Sequence, residues 1–289
     1  FKQLDEKREK RIGKTSIDLV THFTFYKDSP RIDIKTKTFN TAKDHRLRIT
    51  FSLPFSSNKT YTSTHFGYIE RNSYPKETEN YVEKPSGIQA QKRWIRVENE
   101  KGEEAFTLIN KGLPEVELVE GSKLCLTLLR SVGWLSRSDF PERPMHAGPF
   151  LYTPGAQEEN KFFKFEYSII AHSKNKSIVY SDNLSENACL QPISIVVSNN
   201  SENKKIEPII TNSNPFIRIS SLRKKDGAIL VTLYNLSEKE QKTTIQVPVT
   251  VSKVDQIMID GTVIKELEKV ENKLKVSFDP IEIKMLKLD

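Results

Sequence analysis

With 289 residues, 36% of them hydrophobic and 29% charged, the chain has material for one large core or two ordinary ones and does not read as disordered. No window approaches the roughly 18 consecutive apolar residues of a membrane helix. The formal charge of +7 is the balance of 45 basic and 38 acidic residues that lie among one another, as in EKREKR at 6–11, and no basic stripe with interleaved aromatics argues for nucleic acid.

Taken in order, the charged start at 1–13 gives way at Ile17 to a period-2 pattern. Leu19 to Phe25 is one run. Arg31 to Phe39 alternates Ile32 and Ile34 with charged residues, as a half-exposed antiparallel strand does. His45 to Leu53 puts Leu47, Ile49, Phe51 and Leu53 on one face, and Pro54 ends it. The stretch 56–87 is polar and irregular, either a long excursion or a pair of ragged strands. Gln91 to Glu98 reads as a strand with Trp94 and Ile95 on opposite sides. Glu104 to Ile109 and Glu115 to Glu120 follow, joined by the turn-like NKGLP at 110–114. Leu124 to Leu129 is an apolar run that needs burial on both faces, with Cys125 as a buried thiol.

That strand opens the stretch around which the chain is organised, LCLTLLRSVGWLSRSDFPERPMHAGPFLYTPGAQ at 124–157. Its connection is crowded with Arg130, Trp134, Arg137, Asp139, Arg143 and His146, followed by Gly148-Pro149 and Pro154-Gly155. A core strand feeding such a loop suggests a rigid floor under a polar surface, although long crossovers also use Pro, Gly and a core-plugging Trp. Phe162 to Ala171 is another alternating strand, and Ser185 to Leu190 reads as a short helix or turn. The SNNSENKK segment at 198–205 contains no apolar side chain and is the best boundary, dividing a domain at 1–200 from a smaller one at 206–289. Short strands separated by turns such as Lys225-Asp226-Gly227 and Asp260-Gly261 read as a compact β-sandwich. The expected fold class is all-β.

Cys125 and Cys189 make no disulfide framework. The five histidines (His22, His45, His65, His146 and His172) are scattered without metal-ligand spacing, so no metal is expected in the chain. No nucleophile elbow, dinucleotide fingerprint or phosphate loop occurs. Asp139, Glu142, Glu158 and Glu159 are the carboxylates nearest the crowded loop. Asp139 and Glu142 sit among arginines, which keep carboxylates ionised and poor as acids. The loop's Arg, Trp and His side chains suit contact with a polyhydroxylated ligand.

Several stretches together resemble one family. LTLLRSVGWLSRSD, RPMHAGP and TPGAQ, with DHRLRITF at 44–51, FGYIER at 66–71, the Gln91 to Val97 strand and the NKGLP turn, resemble the C-terminal β region of the glycoside hydrolase family 38 α-mannosidases. The likeness is to the bacterial and archaeal branch that includes mannosylglycerate hydrolases. LRKKDGAILVTLYN at 222–235 and PIEIKMLKL at 280–288 resemble that family's terminal sandwich. The resemblance implies a large antiparallel super-sandwich, similar to that of galactose mutarotase, followed by a small β-sandwich. It also implies a partner: an N-terminal catalytic domain or subunit that carries the nucleophilic Asp, the acid/base Asp and the zinc ligands. No residue here matches those, so no catalytic residue and no cofactor is assigned to this chain.

The resulting expectation is a non-catalytic portion of a zinc-dependent retaining α-mannosidase, inactive alone, that buttresses the catalytic domain. Its segment from Arg130 to His146 would lie near the cleft edge and a mannosyl substrate. A stand-alone carbohydrate-binding β module is the alternative, and an autonomous lyase or epimerase a third. Neither a membrane nor nucleic acid is expected as partner, and the expected location is the cytoplasm.

Overall fold

A computed structural model describes residues 3–4, 11–12, 15–74, 80–81, 85–136, 148–190, 193 and 208–289. The chain divides into two compact units, one of Phe1–Ser63 with Ile69–Gln191, the other of Thr64–Tyr68 with Pro192–Asp289. The boundary expected at 198–205 lies outside the described residues.

In the first stretch of chain the strands are β1 (Gln3–Leu4), β2 (Arg11–Ile12), β3 (Leu19–Tyr26), β4 (Ser29–Asn40), β5 (His45–Ser52), β6 (Lys59–Thr64) and β7 (Gly67–Asn72). There follow β8 (Ile88–Ala90), β9 (Trp94–Glu98), β10 (Glu104–Asn110), β11 (Glu115–Val119) and β12 (Lys123–Ser131). β13 (Trp134–Ser136), β14 (Leu151–Tyr152), β15 (Lys161–Ser173) and the helix α1 (Ile178–Cys189) complete this part. A seven-stranded sheet runs β3-β4-β15-β10-β9-β6-β7, and a four-stranded sheet runs β5-β12-β11-β8. The ragged stretch after Pro54 thus supplies a pair of strands, β6 and β7.

Period-2 alternation decides what each strand contributes. Ile34, Phe165, Tyr167, Ile95, Val97 and Leu108 from the larger sheet meet Val116, Leu118, Leu124, Leu126 and Leu128 from the smaller one in a single core, against which Leu47, Ile49 and Phe51 pack. Full burial of one such side chain contributes roughly 1.5–3 kcal/mol. β12 is buried on both faces, as its composition requires. On the face away from the core, the Cys125 thiol lies 3.3 Å from Thr50 Oγ1, and Thr127 Oγ1 donates to Glu115 Oε1 at 2.6 Å. The Arg46–Glu115 and Arg48–Glu117 ion pairs of the flanking strands lie over this side of the sheet, their stems shielding it from water. Between β10 and β11 the chain changes sheet through the NKGLP turn. There Gly112 has φ +77°, and Asn110 Oδ1 accepts the Leu113 amide at 2.7 Å.

The other face of the larger sheet holds α1 through polar contacts. Fully buried Trp94 donates its indole N–H to Asp182 Oδ1 at 3.1 Å, and Arg93 reaches the same oxygen at 3.2 Å. Thr107 Oγ1 lies 3.0 Å from Ser181 Oγ and 2.8 Å from His172 Nε2. Buried Arg96 donates to Lys174 O at 2.8 Å and Ser177 O at 3.3 Å, fixing the turn that enters the helix. Expected only at Ser185 to Leu190, the helix begins seven residues earlier, at Ile178. Its buried residues are Val179, Ser181, Asp182, Ser185 and Ala188, which carry almost no apolar periodicity.

The second unit is a sandwich built from β16 (Thr211–Asn212), β17 (Ile217–Lys225), β18 (Ala228–Asn235), β19 (Gln241–Gln246) and β20 (Val254–Ile257). β21 (Val263–Glu266), β22 (Lys269–Val270), β23 (Lys273–Phe278) and β24 (Ile283–Leu288) complete it. Sheets β17-β18-β24-β20-β21 and β16-β19-β23-β22 enclose Ile217, Val231, Leu233, Ile245, Leu274, Phe278 and Leu286. The β17–β18 hairpin turns on Asp226 and Gly227, both at positive φ, as a two-residue hairpin loop of matching twist demands. Phe66 of the Thr64–Tyr68 segment meets the Tyr234 ring edge-on at 5.7 Å.

Candidate functional site

β12 ends at Ser131, and the connection that leaves it returns to β15 through a 3₁₀ turn at Pro154–Gln157. Its two roots are joined to the β4–β5 connection by a buried polar network. Asn40, wholly buried, donates through Nδ2 to Glu158 O at 3.0 Å and more weakly to Gln157 O at 3.4 Å, while its Oδ1 accepts the Ala42 amide at 3.2 Å. The Ser131 hydroxyl donates to Gln157 O. Asp44, at φ +52°, accepts the Gly133 amide on Oδ1 at 3.2 Å and the Gln157 side-chain amide on Oδ2 at 3.3 Å. A Cβ on Gly133 would stand 2.4 Å from Gln157 Nε2 and 2.8 Å from Gln157 Cδ, so only glycine lets the two roots approach. The Gly133 carbonyl then accepts the Thr153 amide at 2.6 Å.

On this base stands a two-stranded ribbon, β13 with β14, in which Trp134 pairs with Tyr152 and their ring centroids lie 4.9 Å apart. Leu135, Phe150 and Leu151 are exposed along it. Arg130 projects from the end of β12 opposite Arg46, which is bonded to Glu115 at 3.2 Å. Of the six residues singled out by sequence, the structure therefore brings Arg130 and Trp134 to the root of the connection. Arg137, Asp139, Arg143 and His146 lie outside the described residues. Sequence reasoning passed over Asn40, Asp44, Gly133 and Gln157, which set the geometry. The signal available for three of them was their presence in the quoted DHRLRITF, RSVGW and TPGAQ stretches.

At the root one histidine is neutral and one lysine is held charged in an ion pair. Burial pushes the His45 imidazole below its ordinary value, against a Lys43 backbone contact and the Asp44 charge that raise it. His45 is therefore uncharged at neutral pH. Lys43 is raised by the hydrogen bond and charge of Glu159, 3.1 Å away. Among the described residues no three His, Cys, Asp or Glu side chains converge so as to hold a metal ion. An aromatic pair, an arginine and a rigid underpinning can position or contact a ligand, and supply no proton-transfer pair of their own.

Comparison with known proteins agrees with this architecture. Residues 8–142 match the model described as the glycosyl hydrolases family 38 C-terminal domain. Residues 217–285 match that of the family 38 C-terminal beta sandwich domain. A relative from Halalkalibacterium halodurans, named "Putative mannosylglycerate hydrolase", is 31% identical over 140 residues, which is 48% of this chain and 15% of the relative. An α-mannosidase from Enterococcus faecalis V583 superposes on 94% of the chain with TM-score 0.73 and 20% identity, using 29% of its own length. A second family 38 protein from Enterococcus faecalis covers 98% of the chain at TM-score 0.75 and 19% identity, using 32% of its own. At these identities the two structures establish the fold, and the chain spans less than a third of either. Two models of one family, matched in order, one to each part of the chain, make the assignment: the chain belongs to glycoside hydrolase family 38 and carries its C-terminal β region.

Proposed function

We propose that this β region is the non-catalytic part of a zinc-dependent retaining α-mannosidase, buttressing a catalytic domain and lending the Arg130 to His146 connection to the edge of its cleft. The observation that carries the reading is an uncovered apolar row. Leu19, Phe23 and Phe25 on β3 stand opposite Thr38, Ile34 and Ile32 of β4 and continue the core-facing side of the seven-stranded sheet. They nevertheless remain 48%, 56% and 71% exposed. A sheet face this apolar at the rim of a core is suited to covering by further protein. The reading assigns zinc and both catalytic carboxylates to that partner domain and routes no chemical step through this chain.

The test is an α-mannosidase assay of the chain alone, of a family 38 catalytic domain alone, and of the two together. The expected result is zinc-dependent release of mannose that rises on mixing and falls back when Phe23 and Phe25 are both changed to Asp. Zinc-dependent turnover by the chain alone would overturn the proposal.

A further inference from the structure

On the outer face of the seven-stranded sheet, beside the C-terminal end of α1, lies a groove of about 200 Å³ that the preceding reading leaves unused. Alternation along β4 and β15 sends Ile34 and Tyr167 into the core. It turns Asp33, Lys35, Glu166 and Ser168 outward, in facing pairs Asp33–Ser168 and Lys35–Glu166. Thr24 and Tyr26 from β3, with Lys111, complete the polar lining.

These groups are fixed before any ligand arrives. Asp33 Oδ1 accepts Arg31 Nε at 2.7 Å and the buried Ser168 hydroxyl at 2.6 Å, and Oδ2 accepts Tyr26 OH at 2.9 Å and Arg31 Nη2 at 3.1 Å, so its acceptor sites are taken. Glu166 has Lys164 at 2.9 Å, Lys35 at 3.4 Å and Lys111 at 3.9 Å. The Tyr26 ring is 46% exposed, with the Arg31 guanidinium 5.8 Å from its centroid.

Charge decides the class of ligand. Two carboxylates and two ammonium groups line the groove, so neither an anion nor a cation enters without meeting its own sign. Hydroxyl groups donate to the Glu166 lone pairs and accept from the lysines. Nor is the carboxylate pair a proton-transfer pair. Burial raises Asp33, but hydrogen bonds from Ser168, Arg31 and Tyr26 outweigh it and hold the group below its ordinary value. Lys164, followed by Lys35 and the more distant Lys111, does the same for Glu166 against its burial. Both stay ionised, and Glu166 is the one with acceptor capacity to spare. The volume is below the roughly 300–1,000 Å³ typical of drug-sized sites.

We infer that this groove binds a neutral polyhydroxylated molecule of about monosaccharide size. Glu166 accepts from its hydroxyls, Lys35 and Lys111 donate to them, and the Tyr26 ring, held in place by Asp33, offers an apolar face. The inference is independent of the hydrolase reading, because mannosidase assays do not report on this groove.

The experiment is a titration of the isotopically labelled 289-residue chain, followed by backbone amide shifts. The probes are methyl α-D-mannopyranoside, methyl β-D-glucopyranoside and myo-inositol, with citrate as the anionic control. At least one neutral probe is expected to give saturable shifts confined to β3, β4 and β15, with a Kd of roughly millimolar order. Glu166→Gln and Tyr26→Ala should each weaken it by about tenfold or more with the amide spectrum otherwise unchanged, while Tyr26→Phe, which keeps the ring, stays within about threefold. The inference is overturned by any of three results: no saturable response to a neutral probe at about a hundredfold that Kd, a stronger response to citrate, or binding indifferent to both Glu166→Gln and Tyr26→Ala.

Discussion

Replacing Asp182 by alanine tests how α1 is held. The carboxylate is 4% exposed and bonds both the wholly buried Trp94 indole at 3.1 Å and Arg93 at 3.2 Å. Its removal strands the indole N–H, and an unsatisfied buried donor costs about 1–3 kcal/mol. Arg93 keeps Glu186 at 3.6 Å, so its share stays below the roughly 3–5 kcal/mol of a fully broken buried pair. Together these give about 3 kcal/mol, or a fall in Tm of roughly 6–12 °C for a unit of this size. Asp182→Asn keeps an acceptor for the indole and loses only the charge, so about 1 kcal/mol is expected. The assay is urea unfolding followed by Trp94 fluorescence in a Trp134→Phe background, since the chain has two tryptophans. An Asp182→Ala loss below about 0.5 kcal/mol would refute the claim that these bonds anchor the helix, and equal losses for Ala and Asn would refute the partition between hydrogen bond and charge.

Gly133→Ala forces a methyl group onto the buried Gln157 side chain and should destabilise the first unit by about 1–3 kcal/mol; unfolding of the Gly133→Ala, Gln157→Ala and double variants should show coupling, which strictly additive losses would exclude. Burial pushes the His172 and His45 imidazoles down, so the unfolded chain takes up their protons first: the stability they contribute is present above about pH 6.5 and is lost as pH falls through their folded-state values. Tm should therefore decline below about pH 6.5, and His172→Gln should flatten that slope, whereas a slope of the opposite sign would contradict their burial as neutral rings. Leu124→Ala, in the core at 0% exposure, should cost about 2–5 kcal/mol, whereas Phe25→Ser, at 71% exposure, should change the stability of the chain by less than about 0.5 kcal/mol and weaken only its association with a catalytic domain. Denaturant midpoints measured side by side check the contrast.

What could be read from the letters was whatever apolar burial writes into them. β12 announces itself because both its faces exclude water, and β4 because Ile32 and Ile34 recur with period two. The same logic hid the first half of α1, whose seat on the sheet is made by Ser181, Asp182 and Ser185, and left β6 undecided between excursion and strand, because its buried Thr60 and Thr62 hydroxyls imitate a loop. Arg96 reads as a surface residue and is 1% exposed, its guanidinium bonded to the Lys174 and Ser177 carbonyls and paired with Glu98 at 2.7 Å. In each case tertiary hydrogen bonds replace hydrophobic contact as the reason for burial, and no local pattern records a partner dozens of residues away. Arg130 and Trp134 could be picked out as residue types, but the Asn40, Asp44 and Gln157 bonds that orient them join segments more than eighty residues apart.

That distinction bears on what the family resemblance means physically. The stretches that carry it include Asp44, Ser131, Gly133 and Gln157, and all four lie in the network at the root of the 131–157 connection. A buried polar group left without a partner costs about 1–3 kcal/mol, so a set of such groups is tolerable only in the arrangement that satisfies them together, and every competing loop path is penalised several times over. The network thus selects one geometry for the roots, where an apolar filling of equal volume would tolerate several. The ribbon of Trp134 and Tyr152 inherits its orientation from these residues. Any contact the connection makes with a ligand or a neighbouring domain depends on that inherited orientation. Loosening the root by Gly133→Ala should therefore weaken such a contact even though the altered side chain is distant from it.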